Sequence, residues 1–87
     1  MVEKILFSLE NCEKCFQIKE MIKHNDDIKI ITYPHDLSAW NKDQLDEVKS
    51  YDVFNDLQVT APILLVDDKK FIGYLRIRKY LQDNKYI

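Results

Sequence analysis

The sequence predicts a three-layer α/β domain: a four-stranded mixed sheet with helices on both faces, in the order β-α-β-α-β-β-α. Three observations carry this. The apolar run Ile5-Leu6-Phe7 leads into a helical pattern of apolar residues. A second strand-like run, Ile28 to Tyr33, follows, and a β-α-β opening demands a parallel pair with a right-handed crossover. The last third holds two short apolar runs around the turn residues Asp67-Asp68-Lys69, the mark of an antiparallel hairpin.

Each element has a local cause. Residues 2 to 8 read as a strand, and its unbroken apolar centre suits a strand covered on both faces. Asn11 is a good N-cap, so a helix is expected from Cys12 to about Asn25. Cys15, Ile18 and Ile22 fall at i, i+3 and i+7 on its face, joined by Phe16 and Met21. Lys19 and Lys23 occupy its later turns, where the helix dipole favours cations. Pro34 stops the second strand, and Asp36 to Trp40 reads as a loop or helical turn. Asn41 with Gln44 resembles a capping box, and Leu45 and Val48 place a helix at about 42 to 51. Phe54 to Thr60 reads as irregular. Ile63 to Val66 and Lys70 to Ile72 are the hairpin strands, and Gly73 ends the second. Tyr74, Ile77 and Leu81 mark a final helix to about Asp83.

Composition narrows the function. The 87 residues suit one domain, 1 to 87, burying roughly 60–65% of the surface of the unfolded chain. Thirteen Lys and Arg face fifteen Asp and Glu, a net charge of −2, which argues against nucleic-acid binding. The run Arg76, Arg78, Lys79 reads as the solvated face of the last helix, with docking of an acidic partner as the alternative. No apolar run approaches the ~20 residues that span a bilayer. The N-terminus does not resemble a signal peptide, so a cytoplasmic protein is expected. Trp40, Tyr51 and Phe54 are assigned to the sheet edge and the small core.

The chemistry centres on Cys12-Glu13-Lys14-Cys15, after a strand and at the start of a helix. In a β-α-β context, C-x-x-C reads as a redox motif. The thiolate is the nucleophile, and the unpaired amides and positive dipole of a helix N-terminus stabilise it. Cys12 lies at that end and is expected to be the more exposed and more acidic. Cys15 lies a turn later on the apolar stripe and is expected to be buried. Cys12 therefore attacks a substrate disulfide, and Cys15 resolves the mixed disulfide. Lys14 favours a nearby thiolate; Glu10 and Glu13 oppose it. A second signal is Thr60-Ala61-Pro62 before the apolar strand. A cis Ala61–Pro62 bond would leave the backbone of Ala61 free to pair with an extended substrate.

With these motifs in place, the chain resembles glutaredoxin, the small branch of the thioredoxin superfamily, over essentially its whole length. The resemblance implies a thioredoxin-like fold, with Cys12 as nucleophile and Cys15 as resolving residue. It implies that Thr60, Ala61 and Pro62 bind substrate through a cis-proline segment. The family's glycine-glycine turn, beside the γ-glutamyl end of glutathione, maps onto Gly73 and Tyr74. Four positions depart from the pattern. Glu13-Lys14 stand where Pro-Tyr is usual, and no lysine precedes the motif in Ser8-Leu9-Glu10-Asn11. Tyr74 replaces the second glycine, and Leu75, Arg76 and Ile77 follow where an acidic residue is usual.

The expected function is thiol–disulfide oxidoreduction in cell redox homeostasis and electron transport, reducing protein or glutathione mixed disulfides by a dithiol C-x-x-C mechanism. The expected partners are a disulfide-containing protein substrate and, as reductant, glutathione or a protein reductase. A monomer with no tightly bound cofactor and no metal is expected. The alternatives are a non-catalytic interaction module on the same fold, and a metal or iron–sulfur protein using the same cysteines, including a cluster shared between two chains. Intrachain zinc fits poorly. His24 and His35 are ten residues apart, and about twelve helical residues put His24 roughly 18 Å from Cys12.

Overall fold

Ile5, Leu6 and Phe7 lie fully buried at the centre of the computed structural model, which describes residues 3–87. They belong to β1 (Lys4–Leu9); Val2, assigned by sequence to this strand, lies outside the described residues. The chain continues through α1 (Glu13–Ile22), β2 (Ile28–Tyr33), a 3₁₀ turn at Leu37–Ala39, α2 (Lys42–Ser50) and α3 (Phe54–Val59). It ends with β3 (Ile63–Val66), β4 (Lys69–Ile72) and α4 (Tyr74–Asp83). The sheet order is β2-β1-β3-β4. β1 pairs parallel with β2, Leu6 opposite Ile30, and antiparallel with β3, Leu6 opposite Leu64. β3 and β4 form the expected antiparallel hairpin around Asp67-Asp68.

The period of two in a strand splits the apolar run between two cores. Ile5, Phe7, Ile63 and Leu65 join Tyr33, Trp40, Val48 and Leu57 on the face covered by α2 and α3. Leu6 and Leu64 join Ile18, Ile22, Ile77 and Leu81 under α1 and α4. Each such side chain contributes roughly 1.5–3 kcal/mol of burial. Trp40 belongs to the first core, as expected: its ring stacks on Tyr33 at 4.6 Å, and its Nε1–H donates to the Pro34 carbonyl at 2.7 Å. The only buried polar side chain among the described residues, Ser8, is satisfied by the Ile31 carbonyl and the Thr32 hydroxyl, each at 3.0 Å.

The capping box forms as read: the Gln44 amide donates to Asn41 Oδ1 at 2.8 Å, and Gln44 Oε1 accepts from the Asn41 amide at 2.9 Å. Beyond shifts of one or two residues, among them Lys69, read as a turn residue and found in β4, three differences stand out. The N-cap of α1 is Cys12 and not Asn11, whose φ of 56° puts it in the left-handed region that asparagine tolerates. That helix stops at Ile22, the last residue of its buried stripe, not near Asn25. The stretch read as irregular contains α3. Six residues are too few to display a helical period, and an isolated helix that short would not nucleate. Leu57, 2% exposed, anchors it in the core.

Polar ties close the end of the sheet away from the cysteines. Lys4 Nζ donates to Tyr86 Oη at 2.5 Å, and that hydroxyl donates to Asp27. The Glu3 amide donates to Asp67 Oδ1 at 3.0 Å, and the Asp67 amide to the Glu3 carbonyl at 2.9 Å. No helix among the described residues is long and apolar enough to cross a membrane.

Candidate active site

The central strand delivers the chain to its C-terminal edge, where Glu10 and Asn11 turn it into α1. Cys12 keeps an extended backbone (φ −116°, ψ 111°) and caps the helix with its own side chain. The Cys15 N–H donates to Cys12 Sγ at 3.2 Å, while the Cys12 carbonyl accepts the first helical bond, from Phe16, at 3.0 Å. An N-cap acceptor satisfies an amide that the helix leaves unpaired, and the bond strengthens when the acceptor is an anion. The position usually held by a serine or aspartate oxygen is thus occupied by the sulfur of Cys12.

The two cysteines, both free thiols, occupy opposite environments. Cys12 is half-buried and Cys15 fully buried. Burial pushes the Cys15 thiol up to about 12, and its hydrogen bond with the Cys12 thiol adds to the shift. The Lys19 ammonium acts in the other direction. Lys19 is four residues beyond Cys15 and seven beyond Cys12, one helical face. That spacing is a signal from which the sequence reading took only the dipole.

Two clefts flank the start of α1. Cys12 lines one of about 580 Å³ with Leu9, Glu10, Glu13, Phe16 and Lys19. The other, of about 490 Å³, brings together Lys14, Thr60, Gly73, Tyr74, Leu75 and Arg76. Four of the residues singled out by sequence (Lys14, Thr60, Gly73 and Tyr74) therefore share one cleft, and Cys12 opens into its neighbour. Lys14 lines the Tyr74 cleft, and the cation lining the Cys12 cleft is Lys19. Phe16, expected on the apolar face of α1 with Cys15, Ile18 and Ile22, is instead 60% exposed and lines the Cys12 cleft, because it lies one residue round the helix from the buried Cys15; Arg76, expected on the solvated face of the last helix, lines the other.

The Thr60-Ala61-Pro62 segment is tied to the glycine turn. The Ala61–Pro62 bond is cis, as expected, and the Pro62 carbonyl accepts from the Gly73 amide at 3.1 Å. Gly73 has φ 95°, a left-handed conformation that side chains disfavour, and a Cβ there would meet Thr60 Cγ2 at 3.4 Å. Ala61 is half-buried and Pro62 buried behind this rim. His24 and His35 are exposed, and no three His, Cys, Asp or Glu residues gather into a metal-binding group among the described residues.

No protein-family model matches the chain, and no curated protein matches it. A solved structure does: glutaredoxin 1 from Francisella tularensis, complexed with cacodylate, is 19% identical over 98% of this chain and 96% of that one, with a TM-score of 0.54. At that identity the likeness establishes architecture. The chain folds as a thioredoxin-like α/β domain similar to glutaredoxin, from the first strand through the C-x-x-C helix to the last helix.

Proposed function

We propose that the chain is a thiol–disulfide oxidoreductase that works through Cys12 and Cys15. The observation that carries this reading is the N-cap geometry: the sulfur of Cys12 accepts the Cys15 amide at 3.2 Å, beside a buried second thiol. The Cys12 thiolate attacks one sulfur of a substrate disulfide. That S–S bond breaks, a mixed disulfide forms, and the departing sulfur takes up a proton. Cys15 then loses its proton and attacks Cys12 Sγ, and the second substrate thiol leaves. The substrate gains two electrons and the protein holds a Cys12–Cys15 disulfide. A thiol reductant, glutathione or a dithiol protein, regenerates the dithiol.

The buried Cys15 suits the resolving role. Its raised pKa keeps it protonated and unreactive toward solvent oxidants until the mixed disulfide forms next to it. No resident cofactor enters this scheme. The test is mass spectrometry of the purified protein equilibrated across glutathione redox ratios. A reversible loss of two hydrogens, passing through a glutathione adduct on Cys12, is the expected result with glutathione as reductant. Reversible oxidation without the adduct assigns the reductant role to a protein. Thiols that stay reduced at every ratio overturn the reading.

A further inference from the structure

The two clefts differ in charge, and that difference bears on which disulfides the site accepts. Thr32 of β2 lines the cleft of Cys12, whereas Ile72, at the end of β4, lines the other. In the sheet order β2-β1-β3-β4 those strands are opposite edges. A polypeptide laid across Cys12 therefore meets Glu10 and Glu13 with one cation, Lys19, on one side, and Lys14 and Arg76 with no acid on the other. The Lys14–Arg76 cleft has no Asp or Glu in its lining. Neither cation makes an ion pair among the described residues, although Lys4, Lys23 and Lys70 all do. The apolar surface is distributed in the same way. Of the six large apolar side chains left exposed among the described residues, three are placed by sequence next to the site: Phe16 beside the cysteines, Val59 before Thr60, and Leu75 between Tyr74 and Arg76; Ile30, Leu37 and Ile87 lie elsewhere. Exposed apolar residues gathered at one edge mark a surface that another macromolecule covers.

Resting on the oxidoreductase reading, we propose that the Lys14–Arg76 cleft is a specificity site that selects protein disulfides with an acidic side chain within a few residues of the attacked cysteine. The occupant is a protein segment. Its cysteine sits at Cys12, its carboxylate between Lys14 and Arg76, and its apolar flank on Leu75 and Phe16. Exposed charge pairs of this kind change rates by a few-fold and fade with salt.

The experiment mixes fully reduced protein with an excess of a disulfide-linked peptide dimer that carries Glu or Lys two positions from its cysteine. Quenched mass spectrometry follows conversion of the dithiol to the Cys12–Cys15 disulfide. The Glu peptide is expected to oxidise the protein about fivefold faster at low salt, with the ratio falling toward one at high salt. Arg76→Gln should reduce the ratio and Arg76→Glu abolish or invert it. Both changes fall on an exposed first-turn position of α4 where a negative charge is compatible with the helix dipole. Because the readout is a ratio on one protein, any effect on Cys12 reactivity cancels. Equal rates for the two peptides overturn the proposal and leave the oxidoreductase reading standing. So does an Arg76→Glu variant that slows oxidation by oxidised glutathione as much as by the Glu peptide, since the cleft then serves the tripeptide. Failure of every disulfide to oxidise the wild-type protein overturns the oxidoreductase reading itself.

Discussion

The two ends of β1 are built from the same strand and serve opposite purposes. At the N-terminal end, Lys4, Tyr86 and Asp27 form a hydrogen-bonded clasp, and Asp67 pairs twice with Glu3. The side chains of Lys4, Asp27, Tyr86 and Asp67 all have partners there. At the C-terminal end, Glu10, Glu13, Lys14, Lys19 and Arg76 make no ion pair among the described residues, and two free thiols face each other across one helical turn. One end uses its polar groups to close the fold. The other leaves its charges without ion-pair partners among the described residues.

Breaking the reactive end should leave the closed end intact. Cys12→Ser is expected to lower disulfide reduction by about 10³-fold or more, since a hydroxyl does not replace a thiolate nucleophile. The same change should hold or raise stability, by about 0.5 kcal/mol, because serine is a better N-cap than a neutral thiol. Insulin reduction and urea unfolding measure the two effects, and retained activity would remove Cys12 from its role. Between the two ends, Leu6→Ala empties the core under α1 and α4 and should cost about 2–5 kcal/mol in urea unfolding.

The buried thiol gives the reactive end a pH signature. Cys15 is held protonated up to about 12, whereas the unfolded chain loses that proton near the ordinary value of 9.0. Between those values the unfolded state binds fewer protons than the folded one, so stability falls as pH rises. The slope is about 1.4 kcal/mol per pH unit for one proton. Relative to Cys15→Ala, the reduced protein should therefore lose roughly 2–3 kcal/mol between pH 8 and 11. Parallel pH profiles for the two proteins would place the Cys15 thiol in contact with solvent. The smallest effect belongs to the clasp. Tyr86→Phe removes the hydroxyl shared by Lys4 and Asp27 and should lower Tm by less than about 4 °C, with the reduction rate unchanged. A change in rate would show that the two ends are coupled.

Most of the architecture was legible from the sequence because its signals are local. An unbroken apolar run names a strand buried on both faces, and Asn41 with Gln44 names a helix start. The i, i+3, i+7 stripe of Cys15, Ile18 and Ile22 separates a buried cysteine from a half-buried one. α3 was not legible, because six residues hold less than two helical turns, and only the packing of Leu57 makes them a helix.

The site divides along the same line. Cys12-x-x-Cys15 and Thr60-Ala61-Pro62 are short motifs, so local pattern alone was enough to name the candidate pair, the deeper burial of Cys15 and the cis bond. Tertiary structure alone decided which side chains face the pair. The turn at Asn11 makes Cys12 the cap and sends Lys14 to the side of Arg76, sixty-two residues away, while Lys19 enters the cleft of Cys12. Charge proximity across such separations is set by strand order and helix rotation, and those are properties of the packed sheet that no local pattern encodes.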